Sequence, residues 1–176
     1  MRLALTQHPD FARAAVSGIV VEVARTGVGL ALVYEVSGAI RDIVLPAGAA
    51  RRTDELWRTT CFEAFVRGAG EGYLEFNFAP SGAWAAYAFS GYRDGMRPAE
   101  GIAAPAIEVT VGEARLEVRV GLSLPSGDGL WRLGLAAVIE EVSGATSYWA
   151  LAHPPGRADF HHAAGFAAEL GPMESA

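Results

Sequence analysis

Residues 51–93 read RRTDELWRTTCFEAFVRGAGEGYLEFNFAPSGAWAAYAFSGYR, and the parity of this stretch decides the fold. A β-strand sends alternate side chains to opposite faces. Over residues 57–66 the even positions Phe62, Ala64 and Val66 are apolar, while the odd positions are Trp57, Thr59, Cys61, Glu63 and Phe65. Over residues 73–79 the even set is Leu74, Phe76 and Phe78, and the odd set is Tyr73, Glu75 and Asn77. The even face predicts a packed core. The odd face predicts a polar surface rimmed by aromatic rings.

The turn at residues 68–72 pairs these two strands. Same-face pairing requires an even sum of residue numbers, so two registers compete. A sum of 138 sets Glu63 opposite Glu75, and a sum of 140 sets Glu63 opposite Asn77 and Phe65 opposite Glu75. Directly opposed carboxylates repel unless a cation or a shared proton intervenes. The second register is the cheaper one unless an arginine such as Arg93 reaches in. A third strand adds Trp84 and Tyr87, with Ala85, Ala86 and Ala88 giving little parity information.

Outward from this stretch the chain keeps the same rhythm. The first fifteen residues predict an extended lead-in and one helical turn started by Pro9 and Asp10. Ile19, Val20, Val21 and Val23 open a β-branched run, Gly27 and Gly29 flank a turn, and residues 30–36 resume the run up to Gly38. A short strand is expected over residues 40–45, stopping at Pro46. In the connection at residues 47–55, Thr53 or Asp54 is placed to cap a helical turn. Residues 107–111 and 115–122 read as a hairpin about Gly112 and Glu113, its second strand alternating Arg115, Glu117 and Arg119 with Leu116, Val118 and Val120. Residues 130–142 form the longest apolar run. A helix over residues 134–141 competes there on propensity, but Gly134 and the Val138-Ile139 pair favour a central strand, with residues 125–129 as its turn. The tail joins a short strand, a His-Pro-Pro-Gly break and an apolar segment around Phe166. Short runs punctuated by Gly and Pro, with no helical period between them, predict an all-β antiparallel sandwich in one domain over residues 1–176.

Composition narrows the function. With 51% hydrophobic and 19% charged residues, the 176-residue chain is not disordered and builds its core without staples. A net charge of -6 from 14 basic and 20 acidic residues, with no basic stripe, disfavours nucleic acid and anionic membranes. One cysteine, Cys61, makes no internal disulfide. No apolar run reaches the roughly 18 residues of a membrane span, and residues 1–15 do not read as a secretory signal. A cytoplasmic location is the expectation.

The odd face therefore holds the candidate site. Glu63, Glu75 and Asn77 accept and donate hydrogen bonds to hydroxyl groups, and Trp84 and Tyr87, with Trp57 and Tyr73 nearby, offer ring faces to the C–H surfaces of a sugar. The competing expectations are a solvated sheet face or an internal salt-bridge network for Glu63, Glu75 and Asn77, and a place in the core for Trp57 and Trp84. Cys61, mid-strand among apolar neighbours, reads as a small buried hydrophobe rather than a nucleophile.

The motifs LWRTTCFEAFVR (56–67), YLEFNFAPSGAWAAYAF (73–89), GYR (91–93), LAAVIE (135–140), SYWALAHP (147–154) and DFHHAAGF (159–166) together resemble the bacterial DOMON-like proteins, relatives of family-nine carbohydrate-binding modules. The resemblance implies a jelly-roll β-sandwich whose concave sheet binds a ligand, sugar in the carbohydrate modules and haem b in the cytochrome members, and it implies no catalytic machinery. The haem members use a Met and a His as axial ligands, and no Met here stands in a matching motif. Met96 with His153 or His161 are the candidates for that role.

These readings converge on a non-catalytic domain that binds a small polar ligand, a saccharide or sugar-like molecule, through Glu63, Glu75, Asn77, Trp84, Tyr87 and Arg93, with no metal and no cofactor. The alternatives are a haem-binding domain, a glycoside hydrolase using Glu63 and Glu75, and a structural interaction domain. The oligomeric state is not legible.

Overall fold

The computed structural model describes residues 1–11, 15–124 and 129–172. It is an all-β antiparallel sandwich. In chain order the strands are β1 (Arg2–Gln7), β2 (Val16–Thr26), β3 (Gly29–Gly38), β4 (Cys61–Arg67), β5 (Tyr73–Phe78), β6 (Trp84–Phe89), β7 (Arg97–Pro98), β8 (Ala106–Val111), β9 (Arg115–Ser123), β10 (Trp131–Glu140), β11 (Thr146–Ala150) and β12 (Ala168–Leu170). Their spatial order is β7-β6-β5-β4-β10-β11-β1-β2-β3-β9-β8, with β12 beside β10. Arg2, Leu3, Ala4 and Leu5 of β1 pair with β2, whereas Thr6 and Gln7 pair with β11. One short strand thus joins the two sheets.

The even-numbered face of the organising stretch is the sandwich interior. Phe62, Phe76 and Phe78 are fully buried with Leu32, Tyr34, Val36 and Val118 from the opposing sheet. Tyr34 shows the contact directly: its ring lies 5.1 Å from that of Phe62, and its hydroxyl donates to the Glu63 carbonyl at 2.8 Å. An unpaired hydroxyl at this depth would be costly, so the bond both satisfies Tyr34 and ties the β4 backbone to the facing sheet.

The β4–β5 register has the sum of 140: Glu63 faces Asn77, and Phe65 faces Glu75. The hairpins about residues 27–28 and 112–114 form as expected. Residues 131–140 are a strand with β4 on one side and β11 and β12 on the other. The helix alternative there is excluded. The turn expected over residues 125–129 lies, except for Gly129, outside the described residues.

Three local expectations are corrected, and a fourth is described only in part. Residues 40–42 form a 3-10 turn instead of a strand, because only Ile43 finds a strand partner, bridging Glu141. Neither Thr53 nor Asp54 caps the turn at Leu56–Arg58; Glu55 precedes it in the left-handed conformation, with no side-chain cap. Near the N-terminus, the Phe11 N–H closes a turn on the His8 carbonyl at 3.3 Å, and the rest of the expected helical turn, residues 12–14, lies outside the described residues. Trp84 pairs with Phe78 and points into the sandwich interior, where it is 8% exposed.

That last placement follows from parity. Trp84 and Tyr87 differ by an odd number and cannot share a face of one strand. Trp84 packs in the interior, with the Arg52 guanidinium 5.3 Å from its ring centroid. Trp84→Ala is expected to lower stability by about 3–5 kcal/mol, read as a lower urea midpoint at unchanged slope; a loss below about 1 kcal/mol would place Trp84 outside the core.

Candidate functional site

The odd-numbered face is not wet. Strands β4, β5, β6, β10 and β11 are buried on both sides, so Glu63 is 3% exposed, Glu75 4% and Asn77 0%. A second apolar cluster covers this face, built from Leu56, Phe65, Tyr73, Tyr87, Phe89 and Phe166 with Trp57 and Phe160 packed against it. The cover comes from two places: the turn around Leu56–Arg58, and the segment around residues 158–166 that follows the His-Pro-Pro-Gly break.

Between sheet and cover lies a cavity of about 360 Å³, lined by Trp57, Glu63, Glu75, Phe89, Arg93, Met96, Val138, Tyr148, Ala158, Phe160 and His161. The sheet supplies its floor by register. Val138 lies opposite Cys61 and Ala136 opposite Glu63, so β10 presents small side chains beside the acid. Gly134 continues this row. A Cβ there would stand 3.2 Å from the Phe65 Cβ and 3.3 Å from the Gly165 carbonyl oxygen, which is the room that the covering segment occupies.

Three of the six sequence-selected residues line this cavity: Glu63, Glu75 and Arg93. Asn77 lies beneath it, donating from Nδ2 to Glu75 Oε1 at 2.7 Å and accepting from Cys61 Sγ at 3.5 Å. It orients Glu75 and does not itself line the cavity. Tyr87 shares the face, but its hydroxyl donates to Asp54 at 2.7 Å and Trp57 packs edge-on over it, centroids 5.9 Å apart. Tyr87 therefore supports Trp57, and the exposed ring face assigned to it is absent. Trp84 is on the other side of the sheet. The aromatic residues that line the cavity are instead Trp57, Phe89, Tyr148 and Phe160.

Arg93 does not reach across to the acids. Its guanidinium binds Asp159 Oδ1, at 2.7 Å from Nη2 and 3.2 Å from Nε, and Tyr92 donates to the other Asp159 oxygen. Burial pushes the Asp159 carboxyl up, but the bonds from Tyr92 and Arg93 outweigh it and leave Asp159 below its ordinary range. Arg93 is one of two described non-glycine residues with a left-handed backbone (φ 51°). Such a conformation persists where neighbours over-determine it, and here the Arg93 N–H also donates to the Tyr73 hydroxyl at 3.3 Å.

His161 completes the wall. Its Nδ1 lies 2.7 Å from the Tyr73 hydroxyl and its Nε2 3.7 Å from Glu75 Oε2. Burial, then the Arg93 charge, lowers its pKa to about 4, so the ring is neutral near pH 7. Tyr73 accepts from the Arg93 N–H and shares a hydrogen bond with Nδ1, so the imidazole is held between Tyr73 and Glu75. Sequence reasoning placed His161 only as a haem candidate and missed Phe160. Both lie about 85 residues beyond Glu75, in a segment without strand periodicity.

The two acids are the electrostatic centre. Burial, and then the neighbouring Glu75, holds the Glu63 carboxyl well above the usual range. Glu75 is also raised by burial, with the Asn77 bond and Arg93 pulling the other way. Glu63 Oε1 is buried with no hydrogen-bond partner. Among the described residues, no group of three or more His, Cys, Asp and Glu side chains is arranged to hold a metal, and no helix is long and apolar enough to cross a membrane.

No protein-family profile matches the chain, and no curated protein matches it. Among solved structures, the fold is shared with a Bacteroides uniformis protein named as a candidate carbohydrate-binding protein. The two are 15% identical at a TM-score of 0.70, over 94% of this chain and 83% of the other. At that identity the likeness establishes the fold.

A raised carboxyl makes the folded chain bind a proton more tightly than the unfolded chain. Glu63 therefore destabilises the fold progressively as pH rises past 4.5, its ordinary value, towards its raised folded value. Glu63→Gln removes this penalty without changing the shape. The melting temperature of Glu63→Gln minus that of the wild type is expected to grow as pH is raised from about 4 to about 8; a difference that stays flat across that range contradicts it.

Proposed function

We propose that this chain is a reversible, non-catalytic binding domain for a small polar ligand, a saccharide or sugar-like molecule, held in the cavity between the β4–β5–β10 sheet and its cover. The observation that carries this reading is the pairing of Glu63, whose buried Oε1 lacks a partner, with aromatic walls in one cavity. A buried acceptor without a donor costs on the order of 1–3 kcal/mol, a cost that a ligand hydroxyl or amine removes. Trp57, Tyr148 and Phe160 offer apolar ring surface to a sugar's C–H face. A cavity of about 360 Å³ falls at the small end of ligand sites, the size class of a mono- or disaccharide. The resemblance to DOMON-like proteins and carbohydrate-binding modules, and the fold shared with the Bacteroides uniformis protein, support the same ligand class. The ligand is a metabolite rather than a nucleic acid or a membrane, and no cofactor is required.

The glycoside hydrolase alternative finds less support. A pair of catalytic carboxyls is normally driven apart in acidity by different surroundings. Here burial raises both Glu63 and Glu75, and Glu75 commits Oε1 to Asn77.

Haem deserves a fit test because Met96 and His161 both line the cavity. Axial ligation needs a free ring lone pair. The Tyr73 hydroxyl engages His161 Nδ1, and its Nε2 lies 3.7 Å from Glu75 Oε2. The other candidate, His153, binds the Thr6 carbonyl oxygen through Nε2 at 2.8 Å and does not line the cavity. The cavity thus pairs Met96 with no unengaged imidazole, which favours the sugar reading over haem.

A thermal-shift and calorimetric screen of mono- and disaccharides tests the proposal. A binder gains stability by mass action, about 2.7 kcal/mol at a hundredfold excess over Kd. Trp57→Ala and Glu75→Ala are each expected to weaken binding at least about tenfold, and Trp84→Phe to leave it unchanged. No shift with any sugar points to the interaction-domain alternative. Added haem is expected to give no Soret band beyond that of free haem.

A further inference from the structure

On the reading that this cavity takes a sugar-like ligand, we infer that the ligand it selects carries an amine: an amino sugar or comparable polyhydroxylated amine, its ammonium group set against Glu63 and Glu75. Charge around the cavity is unevenly matched. Arg93 is committed to Asp159 at 2.7 Å and Asp159 to Arg93 and Tyr92, so that pair is internally balanced. His161 is bonded to Tyr73 and is neutral. The two acids remain. Among the described residues no Lys or Arg forms an ion pair with either; the nearest basic atom to Glu75 is His161 Nε2, at 3.7 Å, and Glu63 Oε1 has no partner of any kind.

Two carboxyls more than nine-tenths buried with no ion-paired Lys or Arg are costly to ionise, and burial makes both hold their protons more tightly than usual. A neutral sugar does not call for two such acids, because an amide in place of either would bond hydroxyl groups at far lower desolvation cost. A ligand that brings its own positive charge lets them ionise in place. An ammonium group supplies three donors, enough to satisfy Glu63 Oε1 and still reach Glu75 Oε2. The walls suit the same group, since Trp57 and Tyr148 line the cavity and aromatic rings attract a cation once water is displaced.

Isothermal titration of the intact chain with glucosamine, N-acetylglucosamine and glucose, at pH 7 and about 0.15 M salt to screen the chain's overall negative charge, tests this. Glucosamine is expected to bind at least about tenfold tighter than either neutral sugar, the factor of a charge-assisted bond over a neutral one. Glu63→Gln is expected to abolish that preference while melting no lower than the wild type, which shows that the fold survives. Neutral sugars that bind as tightly as glucosamine overturn the amine and leave the sugar-binding reading standing. A preference that persists in both Glu63→Gln and Glu75→Gln also overturns it. Binding by none of the three removes the sugar reading and the amine with it.

Discussion

Burial of one sheet on both of its faces is the constraint from which the remaining features follow. The inner face of β4, β5 and β6 meets the opposing sheet through Phe62, Phe76, Phe78 and Trp84, and the outer face meets the cover through Phe65, Tyr73, Phe89 and Phe166. With no solvated side left, each polar group on these strands must find a partner or bear a desolvation cost. Asn77 is satisfied between Cys61 and Glu75, and Tyr73 between Arg93 and His161. Among the described residues of these strands, Glu63 Oε1 and Arg67 Nε are left buried without a hydrogen-bond partner, and of the two residues only Glu63 lines the cavity. The chemistry of the cavity is the remainder of this polar accounting.

The cover is held by electrostatics at one end and by packing at the other. Asp159 fastens it to the loop carrying Tyr92 and Arg93, while Phe166 packs edge-on to Phe65 and Tyr73 with the Arg67 guanidinium 4.4 Å from its ring centroid. Gly134 and Gly165 let backbone and sheet approach closely between these two anchors. His161 sits between them, and its neutrality depends on the cover staying closed, since exposure to water would restore its ordinary basicity. Cavity geometry and the seating of residues 158–166 thus meet at one imidazole, which touches both Tyr73 and Glu75.

Much of this was legible before any coordinates. The strand pairs, the hairpins and the Glu63–Asn77 register follow from alternation and from the cost of opposed carboxylates, both of which act between near neighbours. The errors have separate causes. Trp84 and Tyr87 were assigned to one face because alanines between them hid the parity, and the residue numbers themselves forbid that assignment. Residues 40–45 have strand composition but only one residue with a strand partner. Asn77 was correctly placed on the acid-bearing face, yet whether it meets the cavity or supports Glu75 depends on side-chain direction within a buried network.

By itself the sequence determined the sandwich, the division of the central strands into two faces, and the acids that share one of them, because a period of two is a local property that each strand carries alone. Only the tertiary structure decided that the polar face is buried beneath a cover. That outcome depends on residues 158–166 folding back over β4 and β5 from about 85 positions away, and on Trp57 closing over Tyr87. Segments that lack strand alternation leave no periodic signal of where they dock. The same long-range contacts convert Glu63 and Glu75 from ordinary surface acids into desolvated ones, and so turn a sheet face into a candidate binding site.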